Sequence, residues 1–166
     1  MAQISLGGDP ITTAGAVPTS GPAPDFALTD KDLGTVSNTD FSGQNVVLNI
    51  FPSVDTPTCA SSVRAFNERA AKLDNTTVLC VSADLPFAQG RFCGAEGIEN
   101  VQTASTFKNP EFLESYGVSM VDGPLQGLCA RAVVAIDATG QVVHSELVSE
   151  IADEPNYDAA IDALSS

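Results

Sequence analysis

Tryptophan is absent from the sequence, histidine occurs once, and basic residues are scarce: 7 lysines and arginines stand against 21 aspartates and glutamates. The formal net charge of the 166 residues is therefore −14 at pH 7. Binding to nucleic acid, or to an anionic membrane surface, needs clustered lysine and arginine side chains, so the composition argues against both functions. We interpret the negative charge as a contribution to solubility.

Long hydrophobic runs are also absent. No stretch approaches the roughly 20 apolar residues that a membrane-spanning helix needs, and residues 1–5 place no basic residue ahead of an apolar segment, as a secretory signal would. We therefore expect a soluble, cytoplasmic protein with no membrane partner. Apolar residues still make up 43% of the chain, enough to form a core, and the length predicts a single domain over residues 1–166.

Cysteine is infrequent, and its four copies are widely spaced, at positions 59, 80, 93 and 129. No C-x-x-C pair occurs, which argues against a structural zinc site, whose ligands usually come in close pairs. Four cysteines are also too few for a disulfide-dense secreted scaffold. In a reducing cytoplasm each of them therefore either packs in the core or performs chemistry.

Alternating strand and helix patterns predict an α/β fold. The strands expected after the N-terminal region lie over residues 45–51, 76–83, 100–104, 132–137 and 141–148. The expected helices lie over residues 57–73, 86–92, 110–116 and 157–164. This order predicts a mixed central sheet flanked by helices, compatible with a thioredoxin-like fold that carries an N-terminal β-hairpin extension over residues 1–24.

Cys59 lies where the sequence begins a helix. Pro57 suits the first helical position, because proline lacks the N–H that would be unpaired there, and Thr56 precedes it as the N-cap. Cys59 then falls in the first turn, where free N–H groups and the positive end of the helix dipole stabilise an anion such as a thiolate. The spacing alone leaves open the alternative that Cys59 is a small buried hydrophobic residue under the helix start.

The residues Pro52, Thr56 and Cys59 match the peroxiredoxin signature P-x-x-x-T/S-x-x-C. Further matches cover nearly the whole chain, and together they resemble the bacterial thiol peroxidase branch of the atypical two-cysteine peroxiredoxins. The matching stretches include residues 47–53, 62–67, 82–89, 91–97, 123–128 and 130–134. The resemblance implies a thiol-specific peroxidase that reduces hydrogen peroxide and organic (alkyl or lipid) hydroperoxides to water and alcohols in antioxidant defence.

The resemblance also implies roles for five residues. Cys59 corresponds to the peroxidatic cysteine, whose thiolate attacks the peroxide and becomes a sulfenic acid. Thr56 corresponds to the threonine that contacts thiolate and peroxide, Arg131 to the arginine that stabilises the thiolate and polarises the peroxide, and Pro52 to the proline that shields the sulfur. Cys93 corresponds to the resolving cysteine, which would form an intramolecular Cys59–Cys93 disulfide after local unwinding around both residues. Hydroxyl, guanidinium and N–H donors suffice for such a displacement, so neither a metal nor another cofactor is expected.

Other polar and thiol residues have simpler interpretations. Without the resemblance, Arg131 is equally well a surface arginine in a salt bridge, although it leads directly into an apolar strand where an unpaired charge is costly. Cys80 lies between apolar strand residues and is interpreted as a core thiol. Cys129 precedes Arg131 by two residues, so both side chains would point the same way in an extended segment, but a packed thiol is favoured. His144 is interpreted as a solvated strand residue.

The resemblance implies thioredoxin as the reductant and a homodimer as the assembly. Phe51 and Val54 are compatible with an apolar contact surface near the active-site loops. A peroxide sensor that relays its oxidation to a partner protein would use the same cysteines, and turnover distinguishes it from an enzyme. A general thiol–disulfide oxidoreductase is disfavoured by the absence of C-x-x-C, and a purely structural role would make the matching residues a coincidence.

Overall fold

The computed structural model describes residues 1–165. The strands are β1 (Ala2–Leu6), β2 (Asp9–Ala14), β3 (Ala27–Thr29), β4 (Thr35–Ser37), β5 (Asn45–Ile50), β6 (Thr76–Ser82), β7 (Gln102–Ser105), β8 (Ser119–Met120), β9 (Ala132–Ile136) and β10 (Val142–Leu147). The helices are α1 (Pro57–Ala70), α2 (Pro86–Glu96), α3 (Glu111–Ser115) and α4 (Tyr157–Leu164), and a 3-10 turn covers Asn38–Phe41. Among these residues, no helix is both long and apolar enough to traverse a lipid bilayer.

A mixed sheet of seven strands forms the centre, in the order β10-β9-β5-β6-β7-β3-β4. The three strands β5, β6 and β7 run parallel, whereas the other neighbours pair antiparallel. A second sheet of three strands joins the hairpin β1-β2 to β8. The predicted mixed sheet with an N-terminal hairpin is confirmed. The two-residue strand β8 was not predicted, because a segment this short has no periodicity of its own.

The central strands are apolar on both faces because both faces are covered. Val47, Val78 and Val133 contact the helical layer formed by α1, α2 and α4. Their neighbours along the strands point the other way and pack in a second cluster with α3 and the N-terminal hairpin. Consecutive strand residues face opposite sides, which is why such strands read as continuous hydrophobic runs.

The helix ends differ from those expected. Helix α1 ends at Ala70 rather than Leu73, because the chain tightens there: the amides of Lys72 and Leu73 bond to carbonyls three residues back. Helix α2 continues to Glu96 rather than ending at residue 92, and Gly97 ends it in a left-handed conformation (φ 65°).

Two sequence interpretations of single residues are wrong. Phe51 and Val54 are 0% and 2% exposed, so they belong to the core and form no apolar contact surface. The interpretation of His144 in β10 holds only in part, because the residue is half-buried and its Nε2 atom is buried with no hydrogen-bond partner among residues 1–165.

Candidate active site

The candidate site lies at one edge of the central sheet. Ile50 at the end of β5 is paired with Val81 of β6 on one side and with Ala132 of β9 on the other. Since β6 is parallel to β5 and β9 is antiparallel, the segments that follow β5 and β6 meet the segment that precedes β9. The sheet thereby gathers the loop 52–56, Asp84 and Arg131 at the same edge.

Cys59 occupies the first turn of α1, as the sequence predicts. Pro57 begins the helix, and Thr56 precedes it with an extended backbone (φ −99°, ψ 145°). The Cys59 side chain is 0% exposed and packs in the apolar cluster beneath the helix. The helix start therefore presents its N-terminal N–H groups around a sulfur that is shielded from water.

Arg131 makes the most specific contact of the site. Its Nη2 donates to the Sγ of Cys59 at 3.2 Å, and its Nε donates to the carbonyl oxygen of Ile151 at 2.8 Å. Nη1 is buried and has no hydrogen-bond partner among the described residues. The side chain is 1% exposed, so the alternative of a surface salt bridge is wrong.

The Arg131 guanidinium places a positive charge against the Cys59 sulfur. A buried guanidinium keeps its charge and is costly to bury without a counter-charge. The carbonyl of Ile151 satisfies one N–H group but supplies no negative charge. A thiolate at Cys59 would supply it, and the unpaired Nη1 remains able to donate to an oxygen atom held beside the sulfur.

The side chain of Asp84 holds the loop that leads into α1 by two hydrogen bonds. Its carboxylate accepts from the hydroxyl of Ser53 at 2.7 Å and from the backbone N–H of Val54 at 2.8 Å. Pro52 is buried at the start of the loop. The hydroxyl of Thr56 donates to the carbonyl oxygen of Ser53 at 3.1 Å, and its contact with a thiolate and a peroxide stays a prediction.

Cys93 lies within α2, one turn before its end, and not at the helix end that the sequence predicts. It is half-buried and lines an open cavity of about 710 Å³ between α2 and the β3–β4 turn. Burial raises the pKa of the Cys93 thiol, while the nearby charge of Lys31 lowers it. The thiols of Cys59 and Cys93 are both free.

The remaining cysteines are fully buried. Cys80 accepts from the Nδ2 of Asn49 at 3.7 Å, and burial raises its pKa to about 12. Burial likewise raises the pKa of Cys129 to about 12, against a hydrogen bond with Thr106 that lowers it. Thiols this weakly acidic are poor nucleophiles at neutral pH. Within residues 1–165, no cluster of three or more metal-binding side chains is present.

Sequence reasoning missed two residues that support the site. Ile151 acts through its carbonyl oxygen, a group that every residue carries, so no sequence signal marks it. Asp84 left a usable signal, because it directly follows the predicted strand over residues 76–83, which pairs with β5. A carboxylate in that position falls at the sheet edge where the Cys59 loop begins.

The chain is similar to known proteins over nearly its whole length. The Redoxin family model matches residues 18–161. The chain is 61% identical over 165 residues to a thiol peroxidase of Mycobacterium tuberculosis, covering 99% of both chains. A peroxiredoxin-like protein from Aquifex aeolicus superposes with a TM-score of 0.93 at 38% identity, over 99% of this chain and 96% of the other. A thiol peroxidase from Chromobacterium violaceum, 22% identical, shares the fold with a TM-score of 0.90 over 98% of this chain and 95% of that one. The predicted thioredoxin-like fold is confirmed.

Proposed function

Since the chain belongs to the Redoxin family and is a peroxidase of the peroxiredoxin type, we propose that Cys59 is its peroxidatic cysteine and Cys93 its resolving cysteine. The substrates in this proposal are hydrogen peroxide and organic hydroperoxides. The observation that supports it most strongly is the buried Arg131, with one N–H on the Cys59 sulfur and a second N–H unpaired beside it.

The first step is a displacement at oxygen. The Cys59 thiolate attacks the terminal peroxide oxygen, an S–O bond forms, and the O–O bond breaks. The sulfur gives up two electrons and becomes a sulfenic acid, and the departing hydroxide or alkoxide takes up a proton to leave as water or alcohol. The Nη1 of Arg131 donates to the peroxide as negative charge develops on the leaving oxygen. The hydroxyl of Thr56 is the second proposed donor, once its hydrogen turns from the Ser53 carbonyl to the peroxide.

The second step joins the two cysteines. The Cys93 thiolate attacks the sulfenic sulfur of Cys59, an S–S bond forms, and hydroxide leaves as water after protonation. Gly90 and Gly94 support this role for α2, because a Cβ at either position would meet no atom within 4 Å, so packing does not require glycine there. Each costs the helix up to about 1 kcal/mol relative to alanine, which makes local unwinding easier.

A dithiol reductant must then restore both thiols, and we propose thioredoxin, whose own dithiol becomes a disulfide as the Cys59–Cys93 bond is cleaved. The cytoplasm is the compartment that we propose, because it is reducing and supplies that reductant. The cycle then serves antioxidant defence.

The net charge of −14 does not oppose the binding of hydroperoxides, because these substrates are neutral. The homodimer stays a prediction.

A coupled assay tests the proposal. The protein is mixed with thioredoxin, thioredoxin reductase and NADPH, and NADPH consumption is followed after addition of hydrogen peroxide or tert-butyl hydroperoxide. We expect many turnovers per protein, abolished by Cys59→Ser and retained by the control variant Cys80→Ala. Consumption of a single equivalent would contradict the enzyme and favour a peroxide sensor. Activity of Cys59→Ser above about a tenth of wild type would remove Cys59 from its role.

A further inference from the structure

A chain of hydrogen bonds runs between the two segments that carry the reactive cysteines. We call Ser53, Val54, Ser82, Asp84 and Gln89 the Asp84 network. The Asp84 carboxylate accepts from Ser53 Oγ at 2.7 Å, from the backbone N–H of Val54 at 2.8 Å and from Ser82 Oγ at 2.7 Å. Ser82 Oγ in turn accepts from Gln89 Nε2 at 3.0 Å, and the same Nε2 donates to the carbonyl oxygen of Ala104 at 2.8 Å.

Each end of the Asp84 network lies close in the chain to one cysteine. Val54 precedes Cys59 by five residues, through the loop that begins α1. Gln89 precedes Cys93 by four residues in α2, so the two side chains are on neighbouring turns of the same helix face. Asp84 itself lies two residues before α2 begins at Pro86.

The Asp84 network is shielded from water where it meets α2. Ser82 and Gln89 are both 0% exposed, and the Oε1 of Gln89 has no hydrogen-bond partner among residues 1–165. Hydrogen bonds to a charged carboxylate are stronger than those between neutral groups, and a buried donor that loses its acceptor is left unsatisfied. The network therefore resists separation of its two ends.

Disulfide formation requires the sulfurs of Cys59 and Cys93 to approach each other. A disulfide holds its sulfurs about 2.05 Å apart, whereas the Cys59 and Cys93 thiols are both free in this structure. Cys59 is held on Arg131, and Cys93 lies inside an intact helix. At least one of the two segments must move before the sulfurs meet, and the Asp84 network joins the loop before α1 to the first turns of α2.

We infer that Asp84 is a positioning residue that holds the Cys59 loop and the base of α2 together in the reduced protein. Its bonds to Ser53 and Val54 must break before Cys93 reaches the oxidised Cys59. Asp84 thereby favours the first chemical step, because it keeps Cys59 oriented towards Arg131, and delays the second. This inference rests on the proposed roles of Cys59 and Cys93.

The variant Asp84→Ala separates this role from a merely structural one. The rate of Cys59 oxidation and the rate of disulfide formation are measured by rapid quench with an alkylating agent, followed by mass spectrometry of the peptides. We expect the first rate to fall and the second to rise, so that their ratio changes by about tenfold, the effect of roughly one lost charged hydrogen bond. Less sulfinic acid should accumulate at high peroxide, because the sulfenic acid is consumed sooner.

A matched control is available at the far end of β9. The carboxylate of Asp137 also accepts several bonds, from the N–H and hydroxyl of Thr139 and from the N–H of Gln141, but in the turn before β10. The variant Asp137→Ala should leave both rates unchanged. If both rates fall together in Asp84→Ala, or if neither changes, the inference is overturned while the proposed function stands. A wild-type protein that forms no Cys59–Cys93 disulfide would contradict the proposed function, and this inference with it.

Amide hydrogen exchange in the wild-type protein provides a test that needs no variant, and it decides the matter if Asp84→Ala does not fold. The backbone N–H of Val54 should be protected in the reduced protein, where it bonds to Asp84, and should exchange rapidly in the disulfide form. Retained protection of Val54 in the disulfide form would show that the network stays closed, and would overturn the inference.

Discussion

Replacement of Arg131 by methionine removes the guanidinium group and keeps a long, largely apolar side chain in its place. Arg131 is 1% exposed, with Nη2 at 3.2 Å from the Cys59 sulfur and Nη1 unpaired. The variant therefore loses the donor to the thiolate and the donor proposed for the peroxide, and it introduces no new charge. Arg131→Met should slow the oxidation of Cys59 by hydroperoxides.

The size of the effect depends on which of the two hydrogen bonds strengthens during the reaction. The bond from Nη2 to the Cys59 sulfur is already present in the reduced protein, whereas the proposed bond from Nη1 to the peroxide strengthens as charge develops on the leaving oxygen. A hydrogen bond to a charged group contributes about 1.5–3 kcal/mol, so the loss of the Nη1 donor should raise the barrier by about that amount. At about 1.4 kcal/mol for each tenfold change, the rate should fall roughly 10- to 10²-fold. The fold should survive, because the ground-state loss is limited to the hydrogen-bond partners of the Ile151 carbonyl and of the Cys59 sulfur, at about 1–3 kcal/mol each.

The second-order rate of Cys59 oxidation can be measured by rapid mixing with peroxide, alkylation and mass spectrometry, because the chain has no tryptophan to report the step. Urea unfolding of the same variant measures its stability. Arg64→Met is the control, since Arg64 belongs to α1 but lies on the surface, paired with Glu96. A rate in Arg131→Met within about threefold of wild type, with the fold intact, would refute the role derived from the geometry.

Three further predictions concern other parts of the chain. Cys93→Ser should consume one equivalent of peroxide and then fail to cycle with thioredoxin, and full cycling would assign the resolving role to another thiol. Cys129, whose pKa burial raises to about 12, should resist iodoacetamide at neutral pH in the folded protein and react in denaturant, so labelling of the native protein would contradict its burial. The N–H groups of Ala152 and Gly8 hold the pKa of Glu150 below its usual value of 4.5, so this anchor of the N-terminal hairpin is intact above that value and is lost as the pH falls through the lowered pKa. Exchange of the Gly8 amide should accelerate over that acidic range, and Glu150→Gln should remove the pH dependence.

The elements that the sequence predicts best are those with strong local patterns. The strand over residues 45–50 lies in a nearly continuous apolar run, and the start of α1 has proline at its first position. The position of Cys59 in the first turn follows from that helix start. Helix α4 was predicted with the bounds that the structure has, Tyr157–Leu164.

The end of α2 could not be placed from local pattern, because the three residues after Phe92 are small and carry little periodicity. Gly90 and Gly94 are poor helix formers, yet the helix passes through both and ends only at Gly97. Packing against the sheet outweighs the weak intrinsic preference of these residues. Cys93 therefore lies one turn inside the helix, and its release requires more unwinding than the sequence indicates.

The contacts of the site are long-range and therefore invisible to local reasoning. Arg131 and Cys59 are 72 residues apart in the chain, and the arginine was an equally plausible surface residue until its burial was known. The bond from Asp84 to Val54 spans 30 residues and depends on the parallel pairing of β5 and β6. Sequence patterns identify which residue types are available, whereas strand order decides which of them meet.

The central claim is that Cys59 is oxidised by peroxide and then captured by Cys93. Mass spectrometry of peroxide-treated, non-reduced protein tests it most directly. The four cysteines are widely spaced in the chain, so the peptides that carry them can be told apart. We predict a single major cross-linked product that joins the peptides of Cys59 and Cys93 within one chain. A bond from Cys59 to Cys80 or Cys129, or oxidation that leaves Cys59 as a free thiol, would contradict the account.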